Sequence, residues 1–158
     1  MNENEKGEVA KHERFMRRCI ELAQIARSRN NTPVGSVVVI GGEVVGEGIE
    51  DLPAGNSVTG HAEVLACQMA VNQTGSKRLD DASLYTTAEP CFMCSFVIRQ
   101  SGIALVVYGL DTPHIGGITS SHPILTDTSV SSWSPAPRVL AGILQSECQE
   151  LRSTKQAT

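Results

Sequence analysis

His61-Ala62-Glu63 and Pro90-Cys91-Phe92-Met93-Cys94 hold the side chains best suited to chemistry in this chain. One imidazole and two thiolates suit a single Zn2+. Three protein ligands leave the fourth tetrahedral position open to water, as a catalytic zinc requires and a structural zinc does not. A carboxylate two residues from the imidazole could carry that water's protons. The implied chemistry is hydrolysis at an electron-poor carbon. Each half alone is ambiguous. Cys-x-x-Cys can be a redox pair, which needs neither His61 nor Glu63. It can also be half of a structural zinc site, which needs a fourth ligand, and His12, His114 and His122 stand in no paired-ligand spacing.

The elements around these residues follow from periodicity. Phe15, Cys19, Leu22, Ala23 and Ala26 recur at helical spacing, which predicts an amphipathic helix over about 9–29, ended by Asn30-Asn31-Thr32-Pro33. Val37–Ile40, Gly41-Gly42 and Val44–Gly46 read as a tight β-hairpin. A polar loop is expected over 50–60, with Pro53, Gly55 and Gly60, then a helix over 61–71 that Gly75 follows. Residues 82–87 read as a strand and 91–100 as a helix. The continuous apolar run over 104–108 fits a buried parallel strand. Residues 110–137 are rich in Pro, Gly, Ser and Thr, and a loop this long is often functional. A strand over 138–142 and a helix over 143–152 complete the order. That order implies an α/β fold, with one mixed sheet and helices on both faces, as a single domain over 1–158. His61 and Cys91 then open two helices, whose free N–H groups and positive dipole ends favour thiolates and can bind a substrate oxygen or ring nitrogen.

The chain has 158 residues, 41% of them hydrophobic, enough for one ordinary core. No apolar run approaches the roughly 20 residues of a membrane span. The start, Met1–Lys6, has no apolar segment, so a cytoplasmic location is expected. Cys19, Cys67 and Cys148 fall among apolar helical positions and read as small buried hydrophobes rather than disulfide partners. Basic residues gather near the start, among them Arg14, Arg17 and Arg18, but acids share that stretch, so a solvated helix face is the expectation there. The net charge of −4 offers no overall basic footprint for nucleic acid.

Together the two motifs resemble the zinc-dependent nucleobase and nucleoside deaminases. The resemblance extends to Thr32-Pro33-Val34-Gly35, Gly46-Glu47-Gly48, Leu84–Glu89 and Val107-Tyr108-Gly109, and is similar to the branch of guanine, cytosine and tRNA adenosine deaminases. It covers about residues 12–110, with a fainter match around 142–148. It implies a three-layer α/β/α fold with a five-stranded mixed sheet. It also implies one Zn2+ per subunit held by His61, Cys91 and Cys94, Glu63 as proton carrier, and a homodimer. Val34, Glu50, Ala62 and Trp133 are the expected substrate contacts. Glu50 stands where many relatives place an Asn that contacts the base; a carboxylate only accepts hydrogen bonds, so Glu50 would face substrate donors. Ser95-Phe96-Val97 replaces small residues, with Phe96 expected in core packing, at a subunit interface or narrowing the pocket. Trp133 is expected either as a lid stacked on a planar base or as an anchor of the long loop. The acidic balance ranks a free nucleobase or nucleoside above a tRNA as substrate, leaving tRNA adenosine deamination as the alternative. A non-catalytic zinc scaffold would leave Glu63 idle.

Overall fold

A computed structural model describes residues 1–51 and 57–153. Pro53 and Gly55 of the expected loop, and the tail from Thr154, lie outside the described residues. The order is α1 (Glu3–Ser28), β1 (Gly35–Ile40), β2 (Glu43–Ile49), α2 (Ala62–Thr74), β3 (Ser83–Ala88), α3 (Phe92–Ser101), β4 (Leu105–Leu110), β5 (Arg138–Ala141) and α4 (Gln145–Ser153). The five strands form one sheet in the order β2-β1-β3-β4-β5. β1 pairs antiparallel with β2 and β3, while β3–β4 and β4–β5 are parallel. The expected three-layer α/β architecture is the one observed.

Strand periodicity explains the layers. Val37, Val39, Tyr85 and Val107 pack with Phe15, Met16, Cys19 and Cys148 under α1 and α4. Their neighbours Val38, Leu84 and Val106 face Ala66, Cys67 and Ile98 under α2 and α3. The inner strands are therefore apolar on both faces, which produces the unbroken runs in the sequence. Cys19, Cys67 and Cys148 are buried and unpaired, as expected of small hydrophobes.

Two local devices aim the chain at the future site. Gly41 and Gly42 have φ of 58° and 82°, the geometry of a two-residue hairpin that side chains resist. On β2, Gly46 and Gly48 face α2 with no room for a methyl group; a Cβ at Gly48 would collide with the Ala62 carbonyl. α2 therefore begins directly against the sheet. α1 starts six residues before the expected position. Asn2 and Glu5 form a capping box there, which adds two polar turns that hydrophobic periodicity does not register.

The segment between β4 and β5 is packed, though it lacks regular structure. Leu125 is fully buried. Arg99 on α3, itself 2% exposed, donates to the carbonyls of Ile124, Leu125, Asp127 and Ser134. Its guanidinium lies 4.8 Å from the Trp133 ring centroid, and Trp133 meets Phe96 edge-on at 6.2 Å. These contacts fit the loop-anchor expectation for Trp133, and Phe96 is not core: it is 46% exposed.

Two substitutions test this reading. Gly48→Ala forces α2 off β2 and should cost about 1–3 kcal/mol by overpacking, lowering the thermal midpoint by roughly 2–4 °C per kcal/mol. Arg99→Ala leaves four loop carbonyls without their donor and should cost about 2–4 kcal/mol in denaturant unfolding.

Candidate active site

The site forms where two helices begin at one end of the sheet. His61 is the N-cap of α2 and Cys91 the N-cap of α3, and neither uses its side chain as a cap, so both are free for other partners. Cys94 sits one turn after Cys91. His61 Nδ1 lies 3.5 Å from both Cys91 Sγ and Cys94 Sγ. Tetrahedral Zn2+ at ordinary Zn–N and Zn–S distances separates its nitrogen and sulfur ligands by about 3.6 Å, so the trio fits that ion. Among the described residues no other His or Cys joins the trio. His114 and His122 are exposed, and His12 bonds Tyr85 across the sheet.

Glu63 stands beside the trio and is 4% exposed. The Thr86 hydroxyl donates to its Oε1 at 3.0 Å, and the Cys94 thiol donates to its Oε2 at 3.4 Å. Burial pushes its pKa up, and the Cys91 charge adds to the rise. The two sulfurs share their proton unequally. The hydrogen bond from Cys94 draws Cys91 down to about 5 against the opposing effect of burial. The same bond, together with burial, holds the Cys94 proton on. A divalent cation at this point favours both thiolates.

A cleft of about 320 Å³ opens over His61, Glu63 and Cys91. Of the expected substrate contacts, Val34 and Glu50 line it. Ala62 serves Glu50: its N–H points at Glu50 Oε2 at 3.4 Å. Glu50 is 6% exposed, and burial raises its pKa to about 7. Trp133 does not line the cleft. Its ring lies against the guanidinium of the buried Arg99 instead. Thr86, Thr112, Ile115 and Arg152 were not anticipated. Thr86 could have been found from strand alternation. The others come from segments far from either motif, which only the fold brings near.

Residues 9–110 match the family described as the cytidine and deoxycytidylate deaminase zinc-binding region. The chain is 33% identical over 140 residues to the tRNA-specific adenosine deaminase of Streptococcus pyogenes serotype M1, covering 89% of this chain and 80% of that protein. It is 32% identical over 143 residues to the tRNA-specific adenosine deaminase of Agrobacterium fabrum, covering 90% and 92%. A solved structure from work on tRNA:A34 deaminases superposes with a TM-score of 0.81 at 33% identity, covering 87% of this chain and 98% of that one. Guanine deaminase from Nitrosomonas europaea, at 21% identity and a TM-score of 0.70 over 89% and 82%, shares the fold. The match across most of the chain, together with a His–Cys–Cys trio that can hold the ion, makes Zn2+ the cofactor and hydrolytic deamination, which breaks a C–N bond to an amino group, the reaction. The chain belongs to the cytidine and deoxycytidylate deaminase family of zinc-binding enzymes.

Proposed function

We propose that this protein deaminates the adenine ring of an adenosine carried by tRNA, with His61, Cys91 and Cys94 as ligands of one Zn2+ and Glu63 as the proton carrier. The observation that carries the choice of substrate is the identity of about one third to tRNA-specific adenosine deaminases across nine-tenths of the chain. The sequence reading ranked a free nucleobase or nucleoside first; the relatives favour the opposite order.

When bound, Zn2+ lowers the pKa of a water in the open fourth position toward about 7. Glu63 takes that water's proton and is held toward it by the Thr86 hydroxyl. Burial raises its pKa, which makes it a better proton acceptor than an exposed carboxylate. Glu63 protonates the ring nitrogen beside the amino-bearing carbon while the water oxygen bonds to that carbon. The second water proton then goes to the amine, the C–N bond breaks, and ammonia leaves. The ring keeps the oxygen, so adenosine plus water becomes inosine plus ammonia.

A free base or nucleoside is the second reading, and specific observations favour it. The cleft of about 320 Å³ lies at the lower end of small-ligand pockets. Several cations that could meet phosphates are already engaged: Arg18 with Glu47 and Glu21, Arg78 with Asp80, and Arg99 with loop carbonyls. No helix among the described residues is long and apolar enough to cross a membrane. A homodimer is part of the proposal, supported by the exposed Met69 and Phe96 on α2 and α3.

Ammonia release over unmodified tRNA, adenine, adenosine, guanine and cytosine separates the two readings. Inosine formed in tRNA supports the first; turnover of small substrates alone replaces it with the second. Glu63→Gln should lower kcat by roughly 10²- to 10⁴-fold while one zinc per chain remains by elemental analysis. Cys94→Ser should lose the metal and the activity together.

A further inference from the structure

Glu89, which directly precedes Pro90 and Cys91, is a third buried carboxylate near the site and has no part in the chemistry above. It is 3% exposed. Its Oε1 accepts from the Ile118 N–H at 2.9 Å and the Thr119 N–H at 2.7 Å. Its Oε2 accepts from the Thr112 N–H at 2.7 Å and the Thr119 hydroxyl at 2.6 Å. The Thr112 hydroxyl also donates to the Glu89 carbonyl, and the Gly117 N–H to the Pro90 carbonyl at 2.8 Å. A Cβ on Gly116 would overlap the Glu89 carboxylate, so the loop is wrapped tightly around it. Burial alone would raise this carboxyl's pKa; the donors from Thr119, Thr112 and Ile118 outweigh it and hold the pKa low.

The wrapped segment ends at the cleft. Cys91 and Gly116 form a bridge between the loop and the first residue of the Cys pair. Thr112 and Ile115 line the same cleft as Glu50 and His61. Ile115 is 43% exposed, although Leu125 in the same long connection is fully buried. Ile115 thus lines the cleft while keeping much of its aliphatic side chain accessible. It can offer a flat apolar contact to a planar ring.

We infer that Glu89 is a positioning residue that templates Thr112–Thr119 and thereby presents Ile115 as the apolar wall against which the substrate ring lies. The inference rests on the reading that the cleft takes an amino-heterocycle. Glu89 lines the cleft too, but both its carboxylate oxygens are committed to donors of Thr112, Ile118 and Thr119, so its effect on substrate passes through the loop and couples it to Ile115.

The test is a double-mutant cycle in the zinc-loaded protein, with KM and kcat measured on whichever substrate of the panel the wild type turns over. Glu89→Gln puts an amide NH2 against at least one loop N–H donor in either orientation, and should raise KM about tenfold with kcat within about threefold. Ile115→Ala should raise KM by a similar factor. The double variant should show roughly the same KM as Glu89→Gln alone, because the second change removes a contact already lost. Amide exchange supplies a readout that needs no substrate: the Ile118 and Thr119 N–H groups should exchange about 100-fold faster in Glu89→Gln and be unchanged in Ile115→Ala. Thr119→Val, which removes only the hydroxyl donor, should give the Glu89→Gln pattern at smaller amplitude even if Glu89→Gln fails to fold. Multiplying KM effects, an unchanged KM in Ile115→Ala, or zinc loss in Glu89→Gln with unchanged loop exchange would each overturn the inference. A wild type that turns over nothing in the panel, with the exchange pattern as expected, would sink the substrate reading and leave the loop template standing.

Discussion

Crowding of negative charge at one buried point constrains the rest of this structure. Oxygens of Glu50 and Glu63 lie within 4.8 Å of each other and of His61, and two sulfurs lie 3.5 Å from the same imidazole. Few donors reach them: Thr86 for Glu63, and Ala62 for Glu50. Buried carboxylates and thiolates at this density are strongly unfavourable unless a positive charge sits among them. A divalent cation supplies that charge, and two helix N-termini add partial positive charge from the backbone.

The fold is arranged to bring those two N-termini together. α2 can begin where it does because β2 presents glycine to it, and α3 begins where β3 ends. The parallel β3–α3–β4 unit places Cys91 and Cys94 at the strand's carboxyl end, and α2 delivers His61 and Glu63 to the same edge. Open α/β sheets commonly bind ligands at the carboxyl ends of their strands.

Glu89 shows the opposite treatment of a buried carboxylate. It is as buried as Glu63, but four donors surround it, so it is a fixed structural anion. Glu63 has the Thr86 hydroxyl and its own backbone N–H against it, fewer donors than Glu89, and burial pushes its pKa up. Both residues belong to motif segments, and only their hydrogen-bond partners set them apart.

Much of this was legible in the sequence, because local physics produces it. The helix and strand periods, the Gly-Gly turn, and the His-x-Glu and Cys-x-x-Cys spacings each lie within one element, so neighbouring residues suffice to read them. The two polar turns at the start of α1 were missed because an amphipathic stripe does not mark them; the Asn2–Glu5 box does. The packing of Trp133 was beyond reach for a different reason. An aromatic in a long polar loop looks available for stacking until its cation partner, 34 positions back in the chain at Arg99, is known. The cleft wall of Thr112 and Ile115 was likewise beyond reach, since donors from residues 112–119 converge on a carboxylate at 89. The sequence by itself determined the fold class, the metal-binding residue types and the reaction they suit. Tertiary structure decided which side chains line the cleft, because contacts between distant segments depend on packing and leave no mark in local spacing.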